Sequence, residues 1–248
     1  MNHESPLLRR GFTLLETVIA IGVLAVLLSG FMVVFTPAAE GIRKSINVQQ
    51  ADRLVSVLEE ELVSGRSTKA GNTPFDTALN RIKESSEWDN AIFVYQYRGA
   101  ISSFRSDMSN IPLASTKDKL VGKDYIVIPM MRRVTESEFL EDLKAIEGSL
   151  FLVKCKQLYF KGGALVVDDR LGDATGKKEL LDPKTGLEWK NSSTFPEAVI
   201  PFAAEFYFVP TNSGAYFSSS KGKATAAFTA KFKALKTPVF TRNIAVRR

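Results

Sequence analysis

From Val18 to Phe35 the chain carries no charged residue: the run reads VIAIGVLAVLLSGFMVVF. With Phe12 to Leu15 ahead of it, this makes one long apolar stretch interrupted only by Thr13, Glu16 and Thr17. A helix from Phe12 to Phe35 is about 36 Å long at about 1.5 Å per residue, enough to cross a hydrocarbon core of about 30 Å. A secretory signal is the competing reading, but its apolar region usually spans about 7–15 residues. This run is longer, although Thr36 to Ala39 (TPAA) offers a mediocre signal-peptidase site. Arg9 and Arg10 stand just before the run, so the positive-inside tendency keeps the N-terminus in the cytoplasm and sends the larger C-terminal part across.

Glu16 is not explained by a plain anchor. A carboxylate in a spanning helix costs a few kcal/mol near the bilayer centre and less near the edge, which makes it a functional candidate by default. The plainer reading is an interfacial Glu that marks the helix start. A cut after Gly11 changes the balance, because it creates a positive α-amine on Phe12, four residues from Glu16. In a low dielectric that ammonium can neutralise the carboxylate if both partners stay satisfied.

The string Arg9-Arg10-Gly11-Phe12-Thr13-Leu14-Leu15-Glu16 is a short basic leader ending in Gly, then Phe, then Glu at the fifth mature position before a long apolar helix. It resembles the signal of type IV pilins and type II secretion pseudopilins, over Leu8 to about Leu62. The resemblance implies cleavage between Gly11 and Phe12 by prepilin peptidase and N-methylation of the new Phe12 amine. It also implies that Glu16 pairs with the Phe12 amine of a neighbouring subunit, setting register while apolar helices bundle in a filament core. Gly22, Ser29, Gly30 and Pro37 are similar to the helix-weakening residues of such stems, though Pro37 lies further along than in a major pilin. Small residues also permit close helix packing in a bilayer, and that reading stays open.

Beyond the stem, the rest of the 248 residues suffices for one ordinary domain. The net charge of +6 is mild and scattered. Cys155 is the only cysteine, so no intramolecular disulfide forms, and alternation with Phe151 and Val153 turns it inward as a buried thiol. His3 is the only histidine and precedes the cut, which excludes histidine-based catalysis and metal ligation from the mature chain.

Residues 38–63 continue as an amphipathic helix with Ile42, Ile46, Leu54, Val55, Leu58 and Leu62 on one stripe, and Pro37 is expected to break or kink its start. Thr73-Pro74 opens a short helix to about Glu87, and Thr135 with Glu138 reads as a capping box for a second, to about Glu147. Period-two patterns predict strands at Ala91 to Tyr97, Tyr125 to Met131, Leu150 to Phe160, Leu165 to Asp168, Val199 to Val209, Ala224 to Leu235 and Val239 to Val246. The penultimate of these places Phe228, Ala230, Phe232 and Ala234 on one face and Lys231 and Lys233 on the other.

Several charged groupings have plainer readings. Asp168, Asp169, Asp173, Glu179 and Asp182 make an oxygen-rich loop of the kind that holds calcium, but Arg170, Lys177, Lys178 and Lys184 are interleaved, which favours a solvated loop and no metal. Lys221, Lys223, Lys231, Lys233 and Lys236, with Arg242, Arg247 and Arg248, read as edge protection or solvation rather than a nucleic-acid surface. Glu136, Glu138, Glu141 and Asp142 read as a solvated helix face. Trp88 and Trp189 read as packing residues, and no nucleotide, redox or hydrolase motif is present.

The expected architecture is α+β, a pilin-like ladle whose long N-terminal helix, membrane-spanning in its first half, packs on an antiparallel sheet. It comprises a leader (1–11), a membrane and filament-core helix (12–36), an outer stem (37–64) and a globular domain (65–248). The resemblance implies a minor pilin or pseudopilin: non-enzymatic, without cofactor, with its globular domain outside the inner membrane. Its partners would be prepilin peptidase, other pilin or pseudopilin subunits, the inner-membrane assembly platform and the lipid bilayer, with no nucleic acid. The rivals are a single-pass membrane protein presenting a ligand-binding domain and a tethered hydrolase using carboxylates, which a deep acidic cleft would favour.

Overall fold

The computed structural model describes residues 13–64, 73–85, 87–115, 117–168, 179–182, 184–189, 194–217 and 225–247. The chain divides into two compact units, Met1–Ile46 and Asn47–Arg248. One helix, α1 (Leu14–Ser64), runs through both. In the first unit its apolar side chains point outward, Leu24, Phe31 and Val34 among them. The expected break at Pro37 is absent, because α1 continues through it. Proline removes one intrahelical donor, the one that would reach Val33 O, which is a single bond in a helix of 51 residues. Thr36 Oγ1 donates to Met32 O at 2.9 Å.

Within the second unit, α1 lays Ala51, Leu54, Val55, Leu58 and Leu62 into the core. Each large aliphatic side chain buried this way contributes about 1.5–3 kcal/mol. The stripe is shorter than expected at its start, since Ile42 and Ile46 are exposed. Next comes α2 (Pro74–Glu84), opened by a true capping box. Thr73 Oγ1 accepts the Asp76 N–H at 3.1 Å and the Asp76 carboxylate accepts the Thr73 N–H at 3.0 Å. This helix ends before the expected Glu87, at Ser85, whose hydroxyl donates to Ile82 O (2.8 Å) and accepts the Cys155 N–H (2.9 Å).

The strands are β1 (Ile92–Phe104), β2 (Asn110–Pro112), β3 (Tyr125–Arg133), β4 (Ile146–Lys161), β5 (Ala164–Val167), β6 (Leu180–Leu181), β7 (Glu188–Trp189), β8 (Val199–Val209) and β9 (Phe240–Arg247). Seven form one antiparallel sheet in the order β2-β1-β4-β8-β9, with β3 also on β1 and β5 also on β4; β6 and β7 pair separately. Alternation divides each strand between two cores. Ile92, Val94, Phe151, Val153, Cys155, Phe202, Ala204 and Phe206 face α1 and α2. Phe93, Tyr95, Tyr97, Leu150, Leu152 and Tyr207 face the opposite side. Cys155 is fully buried, and burial pushes its thiol up to about 12. Trp189 packs against the first core and Trp88 against the second.

That second face is covered by α3 (Ser137–Asp142), α4 (Gly214–Phe217) and α5 (Ala226–Ala234). Two expectations are corrected here. The segment expected as a strand over Ala224 to Leu235 is α5, because Phe228 and Phe232 share a face at a spacing of four, which satisfies both the strand and the helix period. Alanine and lysine settle the matter in favour of the helix, and Thr225 caps it by accepting the Phe228 N–H at 3.1 Å. The helix expected to run to Glu147 also ends early. Glu136 is the N-cap residue of α3, no side chain caps it, and after a tight turn at Leu143–Ala145 the chain enters β4. The Glu138 carboxylate accepts from Ser137 Oγ rather than completing a box with Thr135.

Candidate functional site

The residues singled out for processing, Gly11 and Phe12, lie outside the described residues. The third, Glu16, sits in the first turn of α1 and is tied into its start. Its Oε2 accepts the Thr13 N–H at 2.9 Å and the Thr13 hydroxyl at 3.0 Å, while Thr13 Oγ1 accepts the Glu16 N–H at 3.2 Å. This is a reciprocal cap of the Ser/Thr-x-x-Glu type, satisfying backbone donors that a helix start otherwise leaves open. The Thr-x-x-Glu spacing is local, and it is the sequence signal that marks Thr13 as the partner of Glu16. The plainer reading of Glu16 as a mark of the helix start is therefore realised in the geometry. The assignments coexist chemically, since the cap uses one carboxylate oxygen and points the group back toward the chain start, where a new α-amine would form.

Beyond this turn, α1 is long and apolar enough to cross a membrane, with no charged residue between Glu16 and Glu40. The hydroxyls within the run are satisfied locally: Thr17 donates to Leu14 O at 2.9 Å and Ser29 to Ala25 O at 2.8 Å. That internal bonding is what a hydrocarbon environment demands.

The acidic group on α3 does not form the expected solvated face. Asp142 is fully buried and accepts from Tyr95 Oη at 2.7 Å, Arg105 Nη2 at 2.7 Å and Arg132 Nε at 3.1 Å. Arg132 also reaches Asp107 (2.8 Å) and Glu136 (3.5 Å), and Arg105 reaches Glu141 (3.1 Å). A spacing along the chain cannot reveal this hub, because Tyr95, Arg105 and Arg132 come from β1, the turn after it and β3. Glu138 alone of the four is spent on its neighbour Ser137.

Beside the hub lies a cavity of about 230 Å³ lined by Glu61, Arg81, Asp107, Arg132, Glu136 and Glu138 among others. Asp107 and Glu136 pair with Arg132, while the Glu138 carboxylate takes the Ser137 hydroxyl. Burial alone would raise the Asp107 carboxyl, but hydrogen bonds from Ser109 and the Arg132 guanidinium bring it down to about 2. Asp107 is therefore a hydrogen-bonded carboxylate at neutral pH rather than a proton donor.

The described part of the oxygen-rich loop is spent on structure. Asp182 accepts the Lys184 N–H at 2.9 Å and the Thr185 hydroxyl at 2.6 Å, Lys184 pairs with Glu197 at 2.8 Å, and Lys83 pairs with Glu179 at 3.6 Å. Asp169, Arg170, Asp173, Lys177 and Lys178 lie outside the described residues, as do Lys221, Lys223 and Arg248. Lys231 and Lys233 belong to α5, so they protect no strand edge.

Together these features define an α+β chain with one membrane-length N-terminal helix packed on an antiparallel sheet. Residues 8–32 match the family model described as the prokaryotic N-terminal methylation motif. The chain thus carries the prepilin signal of type IV pilins and pseudopilins, placed where α1 begins. Searches of curated proteins and of solved structures found no match.

Proposed function

We propose that the protein is a minor pilin or pseudopilin, a structural subunit of a type IV pilus or a type II secretion-like filament. The observation that carries this reading is the coincidence of the methylation motif at residues 8–32 with the capped start of a membrane-length helix. In this reading prepilin peptidase cuts between Gly11 and Phe12, the Phe12 amine is methylated, and Glu16 pairs with the Phe12 amine of a neighbouring subunit. The first part of α1 holds the precursor in the inner membrane, with the globular unit outside, until the assembly platform lifts it into the filament. In this reading the work is assembly rather than chemistry.

Mass analysis of the N-terminus of protein taken from its native membrane tests this directly. The expected species begins at Phe12 and carries a methyl group, and Gly11→Leu leaves the leader attached. Native protein that keeps its first residues would overturn the assignment and leave a membrane-anchored ligand-binding domain as the better reading.

A further inference from the structure

We propose that the turn at Leu120–Val121 is a membrane-surface contact of the globular unit, seating its two apolar side chains among the lipids of an anionic bilayer. Leu120 is 61% exposed and Val121 66%. The turn is firmly bonded. The N–H groups of Lys123 and Asp124 both donate to Leu120 O, at 3.2 and 2.9 Å, and Gly122 N–H donates to Tyr125 O at 2.7 Å. Leu120 N–H in turn donates to the Asp124 carboxylate at 2.8 Å. On either side the backbone enters the left-handed region, at Asp118 (φ 59°) and Gly122 (φ 79°). A backbone held this way presents its apolar pair outward by construction.

Further exposed apolar side chains lie on the adjoining strands. Val121 bridges to Tyr125, Tyr125 pairs with Ala100, and Ile126 pairs with Gly99. Ile101, Ile111 and Ile126 are each more than a third exposed.

Charge selects the occupant. Lys117, Lys119 and Lys123 surround the turn, all exposed, and among the described residues none of them makes an ion pair. Asp118 and Asp124 stand among them, so the five charged residues of the turn sum to +1, with the Asp124 carboxylate turned to the Leu120 N–H. An apolar wedge ringed by free ammonium groups matches an anionic lipid surface, where phosphates meet the lysines and acyl chains the wedge. A chain with its own membrane-length helix always has a bilayer within tether range.

The test uses the full-length chain reconstituted in vesicles, with an environment-sensitive fluorophore on Leu120→Cys or, independently, Val121→Cys. The native Cys155 is fully buried and does not compete for the label. A label on Phe31→Cys reports insertion of α1, and one on the exposed Asn212→Cys reports water. The expected result is blue-shifted emission at position 120, quenched several-fold more by lipid-borne than by aqueous quencher. It should appear in vesicles containing phosphatidylglycerol and be lost in pure phosphatidylcholine, at high salt, or in the Lys117→Ala/Lys119→Ala/Lys123→Ala variant. Emission matching position 212 in both vesicle types, with α1 inserted, would overturn the proposal. So would a blue shift that arises only when a second pilin-type subunit is co-reconstituted, which would assign the patch to a protein partner.

Discussion

At the scale of the residue, one buried carboxylate ties β1, the turn after it and β3 to α3. Asp142 takes a hydroxyl and two guanidinium donors, so its removal leaves Arg105 and Arg132 short of a partner and orphans the Tyr95 hydroxyl. Breaking a buried pair on one side costs about 3–5 kcal/mol, and Asp142→Ala is expected to lose that much in a urea-unfolding measurement. Asp107 gives the hub a pH dependence whose sign follows from its depressed carboxyl. A depressed acid stabilises the fold above its unfolded value of about 3.9 and loses that contribution as pH falls through its folded value. The melting temperature of the wild type should therefore exceed that of Asp107→Asn by a constant margin above about pH 5. The margin should close as the pH approaches about 2. A margin independent of pH down to that value would show that the charge of Asp107 contributes nothing.

At the scale of the element, α5 shows how local chemistry decides between two compatible patterns. Its phenylalanines satisfy both periods, so the decision falls to the cap, the alanines and the exit. At that exit Lys154 donates to Phe232 O at 3.0 Å, with its ammonium 4.3 Å from the Phe232 ring centre. Thr225→Ala removes the cap and is expected to cost about 1 kcal/mol by denaturant unfolding. No loss in that variant would mean that the segment does not depend on a helical start. The β6–β7 hairpin is held differently, by a side chain acting as a strand. The Gln157 amide donates to Leu181 O at 2.5 Å and accepts the Leu181 N–H at 2.6 Å. Two-residue strands such as these carry no periodic signal in the sequence.

At the scale of the whole molecule, Glu16 carries two assignments that substitution can separate. Glu16→Val removes both the cap to Thr13 and the charge offered to a neighbouring amine. Glu16→Gln keeps an acceptor for the Thr13 N–H, because glutamine also serves in capping boxes, but carries no charge. Both variants are expected to be cleaved and inserted normally yet to be depleted from sheared filaments. Normal incorporation of Glu16→Gln would make the helix start, rather than the ion pair, the role of this residue. The apolar run, the prepilin-type signal, the Thr73 cap and all of β8 were legible from the chain alone, because each rests on neighbours in sequence: period, composition, or a donor three residues from its acceptor. The burial of Asp142 and the support that Gln157 gives to the β6–β7 hairpin were decided only by the tertiary structure. Each depends on groups far apart in the chain, and an electrostatic or packing partner that arrives through folding leaves no mark in the local pattern.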